Sequence, residues 1–221
     1  MHNRLRGLFK EIPEPISLND ISPTSILQDS AKGRRSHSMW ELKEPKPVKL
    51  IVGILACDER CLAAARTSLE SAIGSIDLAS DIWPFDQTSY YADEIGPRIL
   101  RQFVSLAQLI DPGELAEMKH RTNAFEQELA RSLALPFPRP VNLDPGIIEP
   151  SKLVLATTKN YSHRIYIGRR MYAEVTLVFD KGVWRPLAHT YPDYRSQQYC
   201  EFFTKVRDRL LEQLRATARE P

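Results

Sequence analysis

The most informative stretch of the sequence for the fold is KLIVGILA, at residues 49–56. It is a compact run of apolar and β-branched residues, which predicts a central strand buried on both faces. Asp58 follows as a helix N-cap, and apolar residues then recur at helical spacing as far as residue 73. Gly74 predicts the end of that helix. The ordered part of the chain therefore begins with a strand followed by a helix.

The segments that follow predict further strands and two more helices. Short strands are predicted at residues 78–83 and 99–106. The sequence Asp111-Pro112-Gly113-Glu114 predicts a helix start, because it combines an acidic cap, an early proline and a glutamate three residues after the cap. A final helix is predicted from Ser196. Between these helices we expect an antiparallel meander with strands at residues 153–158, 163–167, 172–179 and 183–187.

This order of elements predicts an α+β fold. If residues 153–158 return to the first sheet, the core is βαββαβ, the ferredoxin-like split βαβ arrangement, extended by the antiparallel β-meander and the C-terminal helix. An α+β sandwich with a different strand order is the alternative. Residues 1–46 are rich in proline and polar residues and show no lasting period. They predict a disordered N-terminal tail before a single α+β domain at residues 47–221.

Composition excludes several classes of protein. The chain has 221 residues, of which 43% are hydrophobic and 26% charged, as in an ordinary globular protein. It has only nine glycines, and the two closest, Gly168 and Gly182, are 14 positions apart. A dinucleotide fingerprint or a P-loop needs two glycines within about six positions. Standard phosphate-binding loops are therefore excluded.

The three cysteines and the lack of long apolar runs predict a cytoplasmic protein with reduced thiols. Cys57 and Cys61 are four residues apart across the predicted strand-to-helix turn. No second Cys/His pair stands at a zinc-finger spacing, so we expect idle thiols and no metal site. The sequence predicts no particular cofactor, and we expect no membrane span.

Four segments carry a resemblance to a known family. They are PVKL and GILA within residues 47–56, VNLDPG and SKLVLA within 141–156, HRIY and YAEVTL within 163–177, and TYPDYR at 190–195. In this order they resemble a prokaryotic family catalogued as domain of unknown function 4416, over roughly residues 47–215. The resemblance implies no established activity and no known catalytic residues. The chain departs from the family pattern at Ile147 and His189, where aromatic residues are expected.

The densest polar motif is Asn142-Leu143-Asp144-Pro145-Gly146. In an extended strand Asn142 and Asp144 point the same way. The amide then suits the orientation of a substrate, and the carboxylate suits a base or a cation ligand. The structural alternative is a strand that ends in a turn at Pro145-Gly146.

A second group of polar residues lies on the predicted hairpin of strands 163–167 and 172–179. Glu174 is expected to pair across the hairpin with Arg164. One interpretation is a simple cross-strand ion pair. The other is the floor of a polar cleft, in which Arg164 and Lys152 bind an anion and Glu174 positions it. His163 is either a general acid or base, or a structural histidine.

Asp193 and Arg195 precede the last helix, where they either seat that helix or close one edge of the cleft. The hypothesis that follows is an enzyme or binder for an anionic small molecule, such as a phosphorylated one. It rests on these polar residues and on the net positive charge of residues 141–221, which contain 13 Lys/Arg and 9 Asp/Glu. The alternatives are a nucleic-acid or ribosome-associated binding module and a protein-interaction scaffold. The candidate catalytic residues are Asp144, His163 and Glu174, and the candidate substrate-binding residues are Asn142, Lys152, Arg164 and Arg195.

Overall fold

A computed structural model describes residues 42–86 and 91–218 of the protein. Most of the predicted N-terminal tail, residues 1–41, lies outside the described residues, and so do residues 87–90 and 219–221. The predicted boundary between a tail and a single domain at residue 47 therefore stays a prediction. In the described part of the chain, no helix has both the length and the apolar character needed to cross a membrane.

The described elements are nine strands and four helices. The helices are α1 (Glu59–Ala72), α2 (Ala92–Ile95), α3 (Leu115–Leu133) and α4 (Gln197–Thr217). The strands are β1 (Val48–Ala56), β2 (Ile76–Ala79), β3 (Trp83–Pro84), β4 (Leu100–Ile110), β5 (Val141–Glu149), β6 (Lys152–Thr157), β7 (Ile165–Gly168), β8 (Met171–Asp180) and β9 (Val183–Pro186). Short 3-10 turns at Pro112–Glu114 and Asp193–Arg195 precede α3 and α4. The predicted mixture of helix and antiparallel sheet is thus confirmed.

The strand predicted from KLIVGILA is the centre of the sheet. All nine residues of β1 are buried, and β1 has neighbours on both sides, β4 and β5. The side chain of Asp58 accepts a hydrogen bond from the Cys61 amide at 2.7 Å and caps α1 as predicted. The capping box between Asp111 and Glu114 is also present at the start of the second predicted helix.

The strands form one antiparallel sheet with the order β2-β4-β1-β5-β6-β8-β7, in which β3 pairs with β4 and β9 with β8. The segment predicted as the strand at residues 153–158 joins this sheet as β6, two positions away from β1. The neighbour of β1 is β5, with Gly53 opposite Asp144. The alternative of a turn at Pro145-Gly146 is wrong, because β5 runs through both residues without a break. β6 pairs only with residues 146–149 of β5, and proline is tolerated where a strand has a neighbour on one side.

Helices cover both faces of the sheet. Leu50, Val52 and Ile54 of β1 pack with residues of α1 and α3 on one face. On the other face α4 packs Phe203 and neighbouring aromatic side chains onto the sheet. Leu50 and Phe203 therefore belong to two separate cores, one on each face of the sheet, because successive strand residues point to opposite faces.

A register shift in β8 decides which of its residues face α4. Leu177 lies opposite Leu153, but Val175 lies opposite Val154, the next residue of β6. Leu153 and Val154 are consecutive residues of β6 and point to opposite faces. Their partners Leu177 and Val175 therefore also point to opposite faces. Regular alternation along β8 would have put these two residues on one face, and the register shift overturns that pattern. Glu174 lies opposite Leu155, which belongs to the core on the α4 side, so Glu174 faces that side too.

Candidate functional site

A cleft with a volume of about 670 Å³ lies on the α4 side of the sheet. Its floor comes from β4, β5, β6 and β8, and the segment before α4 forms one wall. Four of the seven predicted site residues line it: Asn142, Asp144, Arg164 and Glu174. The other polar residues that line it are Tyr91, Glu94, Arg101, Lys119, Arg139, Thr157, Thr158, Lys159, Tyr191, Asp193 and Tyr194.

Asn142 and Asp144 point the same way on β5, as predicted. The Asn142 amide donates to one carboxylate oxygen of Asp144 at 2.7 Å, and Lys119 Nζ lies 3.4 Å from the other. Burial raises the pKa of Asp144, but the charges of Lys119 and Arg101 and the Asn142 hydrogen bond outweigh it, so this pKa lies below its usual value. Asp144 is therefore ionised at neutral pH, which suits an acceptor of hydrogen bonds better than a base.

Two side chains of α3 reach the open edge of β5. Lys119 Nζ donates to the carbonyl oxygen of Leu143 at 2.8 Å, and the Leu143 amide donates to Glu126 Oε1 at 2.7 Å. These contacts satisfy backbone groups that β6 leaves unpaired at this point. Glu126 also binds Arg139 at 2.7 Å. The interrupted pairing of β5 thereby brings two cations, Lys119 and Arg139, to the cleft wall.

Arg164 and Glu174 form a buried ion pair, and His163 lies beside it. Arg164 Nε donates to Glu174 Oε2 at 2.6 Å, with side-chain exposures of only 3% and 2%. The Nε2 atom of His163 lies 3.0 Å from the same oxygen. The remaining nitrogens of Arg164 reach Thr157, the Lys159 carbonyl and the Tyr191 hydroxyl. The predicted cross-hairpin ion pair is confirmed, although β7 begins at Ile165, after Arg164.

Arg101 of β4 is a cleft residue that sequence reasoning missed. It is 3% exposed, and its Nη2 donates to Asp193 Oδ2 at 3.1 Å. Its guanidinium lies over the rings of Phe85, Phe103 and Tyr194, at 5.1 to 5.8 Å from the centroids. Burial raises the pKa of Asp193 although the charge of Arg101 opposes the shift. Asp193 thus lines the cleft, as predicted for one edge of it, and its carboxylate pairs with Arg101.

One sequence signal pointed towards Arg101. Gly53 stands in the middle of the fully buried strand β1, where glycine often marks a close approach of another group. A Cβ atom at position 53 would lie 2.9 Å from Arg101 Nη1 and 3.0 Å from the Phe103 ring. The glycine therefore leaves room for the guanidinium. Lys119 and Arg139 gave no such signal, because their roles depend on where β6 stops pairing with β5.

Three predicted site residues do not line the cleft, namely Lys152, Arg195 and His163. Lys152 pairs with Glu149 at 2.8 Å at the far end of β6, so it does not lie in the cleft with Arg164. Arg195 donates to the backbone carbonyls of Thr190, Leu187 and Ala188, so it holds the segment before α4.

His163 touches the cleft only through Glu174. Its ring stacks on His189 at 4.3 Å between centroids, and His189 bonds the Val175 carbonyl at 2.9 Å. No contact joins His163 to Asp144 among the described residues, so the two do not form a proton-transfer pair in this geometry. Both histidine rings instead pack beside the Arg164–Glu174 pair.

Three nearly buried side chains of the cleft keep polar atoms that have no hydrogen-bond partner of normal geometry among the described residues. These atoms are Nε and Nη1 of Arg101, Oε1 of Glu174 and the hydroxyl of Tyr194. The hydroxyl of Tyr199 also interacts with the Arg101 guanidinium. Because an unpaired buried polar group costs about 1–3 kcal/mol, such groups are rare without water or a ligand.

The family model described as Domain of unknown function (DUF4416) matches residues 46–210. The chain belongs to this family. The DUF4416 match spans every element from β1 into α4, and it includes all the residues that line the cleft. No curated protein and no solved structure matches the chain.

Proposed function

We propose that the cleft binds an anionic small molecule. The observation that carries the proposal is that Arg101, Glu174 and Tyr194 each keep at least one unpartnered buried polar atom and that all three residues line one cavity. A ligand that pairs with these atoms relieves their desolvation cost, so binding is favoured at this place. The cavity volume falls in the range of about 300–1,000 Å³ that is usual for small-molecule sites.

Cationic side chains from different elements support an anionic ligand. Arg101 comes from β4, Lys119 from α3 and Arg139 from the segment before β5, and all three line the cleft. Arg101 contacts a single carboxylate, that of Asp193, and retains free donors. A guanidinium with free donors matches a phosphate or carboxylate group.

Sheet geometry supports an elongated ligand. Arg101 lies on β4 and Glu174 on β8, four strand positions apart in the order β4-β1-β5-β6-β8. Neighbouring strands are about 4.8 Å apart, so the two ends of the cleft are separated by roughly 10 Å or more after allowing for the side chains. Because Arg164 already balances the charge of Glu174, the free Oε1 suits a neutral hydroxyl or amino donor. A sugar phosphate or nucleotide has this combination of groups.

The arrangement of elements argues against an open-faced RNA module. The order β2-β4-β1-β5, with α1 and α3 on one face, corresponds to the ferredoxin-like split βαβ core that we infer for residues 48–149. RNA-binding modules of this kind use the opposite sheet face. Here α4 packs on that face. A cytoplasmic location is also part of the proposal, supported by the free thiols of all three cysteines.

A thermal-shift screen with matched variants tests the proposal. The probes are inorganic phosphate, pyrophosphate, ribose 5-phosphate, adenosine monophosphate and citrate. A ligand at 100 times its dissociation constant stabilises the fold by about 2.7 kcal/mol. Tyr194→Phe removes an unpartnered hydroxyl from a residue that lines the cleft, whereas Thr176→Val removes one from a residue that does not.

Neither substitution breaks a hydrogen bond of the free protein among the described residues, so both variants should fold at least as stably as the wild type. Only Tyr194→Phe should weaken binding, by about fivefold for one lost hydrogen bond. Equal binding by both variants, or the absence of any stabilising anion, would contradict the proposal.

A further inference from the structure

Three potential metal ligands meet at the turn between β1 and α1. Cys57 directly follows β1, Asp58 is the N-cap of α1, and Cys61 lies in the first turn of that helix. The two sulfur atoms are 3.3 Å apart, and one ligand atom from each of the three residues lies within 4.8 Å of the others. No other such group of three His, Cys, Asp or Glu side chains occurs within residues 42–86 and 91–218.

The local fold explains this convergence. The carboxylate of Asp58 accepts the Cys61 amide at 2.7 Å, which fixes the first turn of α1 against the end of β1. The Cys57 amide donates to the Pro140 carbonyl at 3.1 Å, so the strand end is anchored as well. The backbone therefore holds both thiols in place before any ion binds.

The ligand set suits a thiophilic divalent cation. Two sulfurs bound to one tetrahedral zinc ion at about 2.3 Å each are about 3.8 Å apart, so the pair needs to open by only a few tenths of an ångström. Cys61 is buried and Cys57 is half-buried, which leaves the ion a route from solvent. Burial raises the pKa of the Cys61 thiol, so ion binding must release its proton.

We propose that Cys57, Asp58 and Cys61 bind one thiophilic divalent cation, of which Zn²⁺ is the biological example, with water in the fourth position. Cysteine spacing alone predicted idle thiols, because the third ligand is a helix-capping aspartate and not another cysteine or histidine. The site is separate from the cleft, since none of its three residues lines that cavity.

Titration of the full chain with Co²⁺ tests the site, because thiolate ligands give Co²⁺ a strong near-ultraviolet charge-transfer absorption. With the thiols kept reduced by a phosphine, one equivalent of Co²⁺ should produce this band, and Zn²⁺ should displace it. Cys57→Ser should abolish the band, and so should Cys61→Ser. Cys200→Ser is the control and should keep it, since that free thiol lies on α4, outside the cluster.

Asp58→Ser separates coordination from folding. Serine is as good an N-cap as aspartate, so helix α1 should remain, as circular dichroism would show. The missing carboxylate should weaken Co²⁺ binding at least tenfold. The proposal is overturned if the wild type gives no thiolate band, if the band survives Cys57→Ser, or if Cys200→Ser removes it.

Discussion

Replacement of Glu174 by glutamine tests how deeply the Arg164–Glu174 pair is buried beneath the cleft. Glutamine keeps the shape of the side chain but removes the charge that balances Arg164. Both side chains are at most 3% exposed, and the loss of one partner of a buried ion pair costs about 3–5 kcal/mol. Arg164 keeps three other acceptors, from Thr157, Lys159 and Tyr191. We therefore expect the low end of the range, about 3 kcal/mol.

Thermal and urea unfolding followed by circular dichroism measure this loss. For a chain of this length, about 3 kcal/mol lowers the melting temperature by about 6–12 °C. Asp180→Asn is the matched control, because it removes a carboxylate from an exposed pair with Arg185 at 3.0 Å. An exposed pair contributes about 1 kcal/mol at most. If Glu174→Gln lowers the free energy of unfolding by no more than Asp180→Asn does, the Arg164–Glu174 pair is not buried. That result would contradict the description of the cleft floor.

Three further predictions concern the core, the response to acid and the N-terminal segment. Phe203 is fully buried among aromatic rings, so Phe203→Ala should cost about 3–5 kcal/mol in urea unfolding; a loss below about 1 kcal/mol would place α4 elsewhere. Burial raises the pKa of Asp77, but hydrogen bonds from Lys49 and Ser105 lower it below its ordinary 3.8 overall. The ionised Asp77 therefore stabilises the fold above about pH 4, and this contribution is lost as the pH falls further. The free energy of unfolding should then depend less on pH between pH 4 and pH 2 in Asp77→Asn than in the wild type. An equal dependence on pH in the two proteins would contradict this. Removal of residues 1–46 should change the free energy of unfolding by less than about 1 kcal/mol, and a larger loss would show that the segment packs on the domain.

Local signals in the sequence predicted the first part of the fold. A strand buried on both faces has an uninterrupted apolar sequence, so KLIVGILA identified β1 without knowledge of its neighbours. The caps at Asp58 and Asp111 depend on contacts within three residues, and both were predictable for that reason. Strand order depends on contacts between distant residues, and the sequence alone left it open.

The strand β5 shows how a local signal misleads. Pro145-Gly146 is typical of a turn, but here the strand continues, because β6 pairs only with its second half. The same interruption lets Lys119 and Glu126 of α3 reach the backbone of Leu143. Neither residue stands near β5 in sequence, so no spacing rule could place it there.

The candidate site was predictable where its residues share one strand or hairpin. Asn142 with Asp144, and Arg164 with Glu174, are such pairs, and the structure joins both. Arg101 meets Asp193 across 92 positions of sequence, a contact that exists only because α4 folds back over the sheet. Lys152 was expected in the cleft because of its charge, but its place at the start of β6 puts it beside Glu149.

A crystal structure of the full chain soaked with the most stabilising anionic probe would show whether the cleft binds an anion. We predict that the anionic group contacts Arg101, that a ligand atom lies within hydrogen-bond distance of the Tyr194 hydroxyl, and that a neutral donor meets Glu174 Oε1. Ligand density elsewhere on the protein, with only water in the cleft, would show that the cleft is not the anion-binding site.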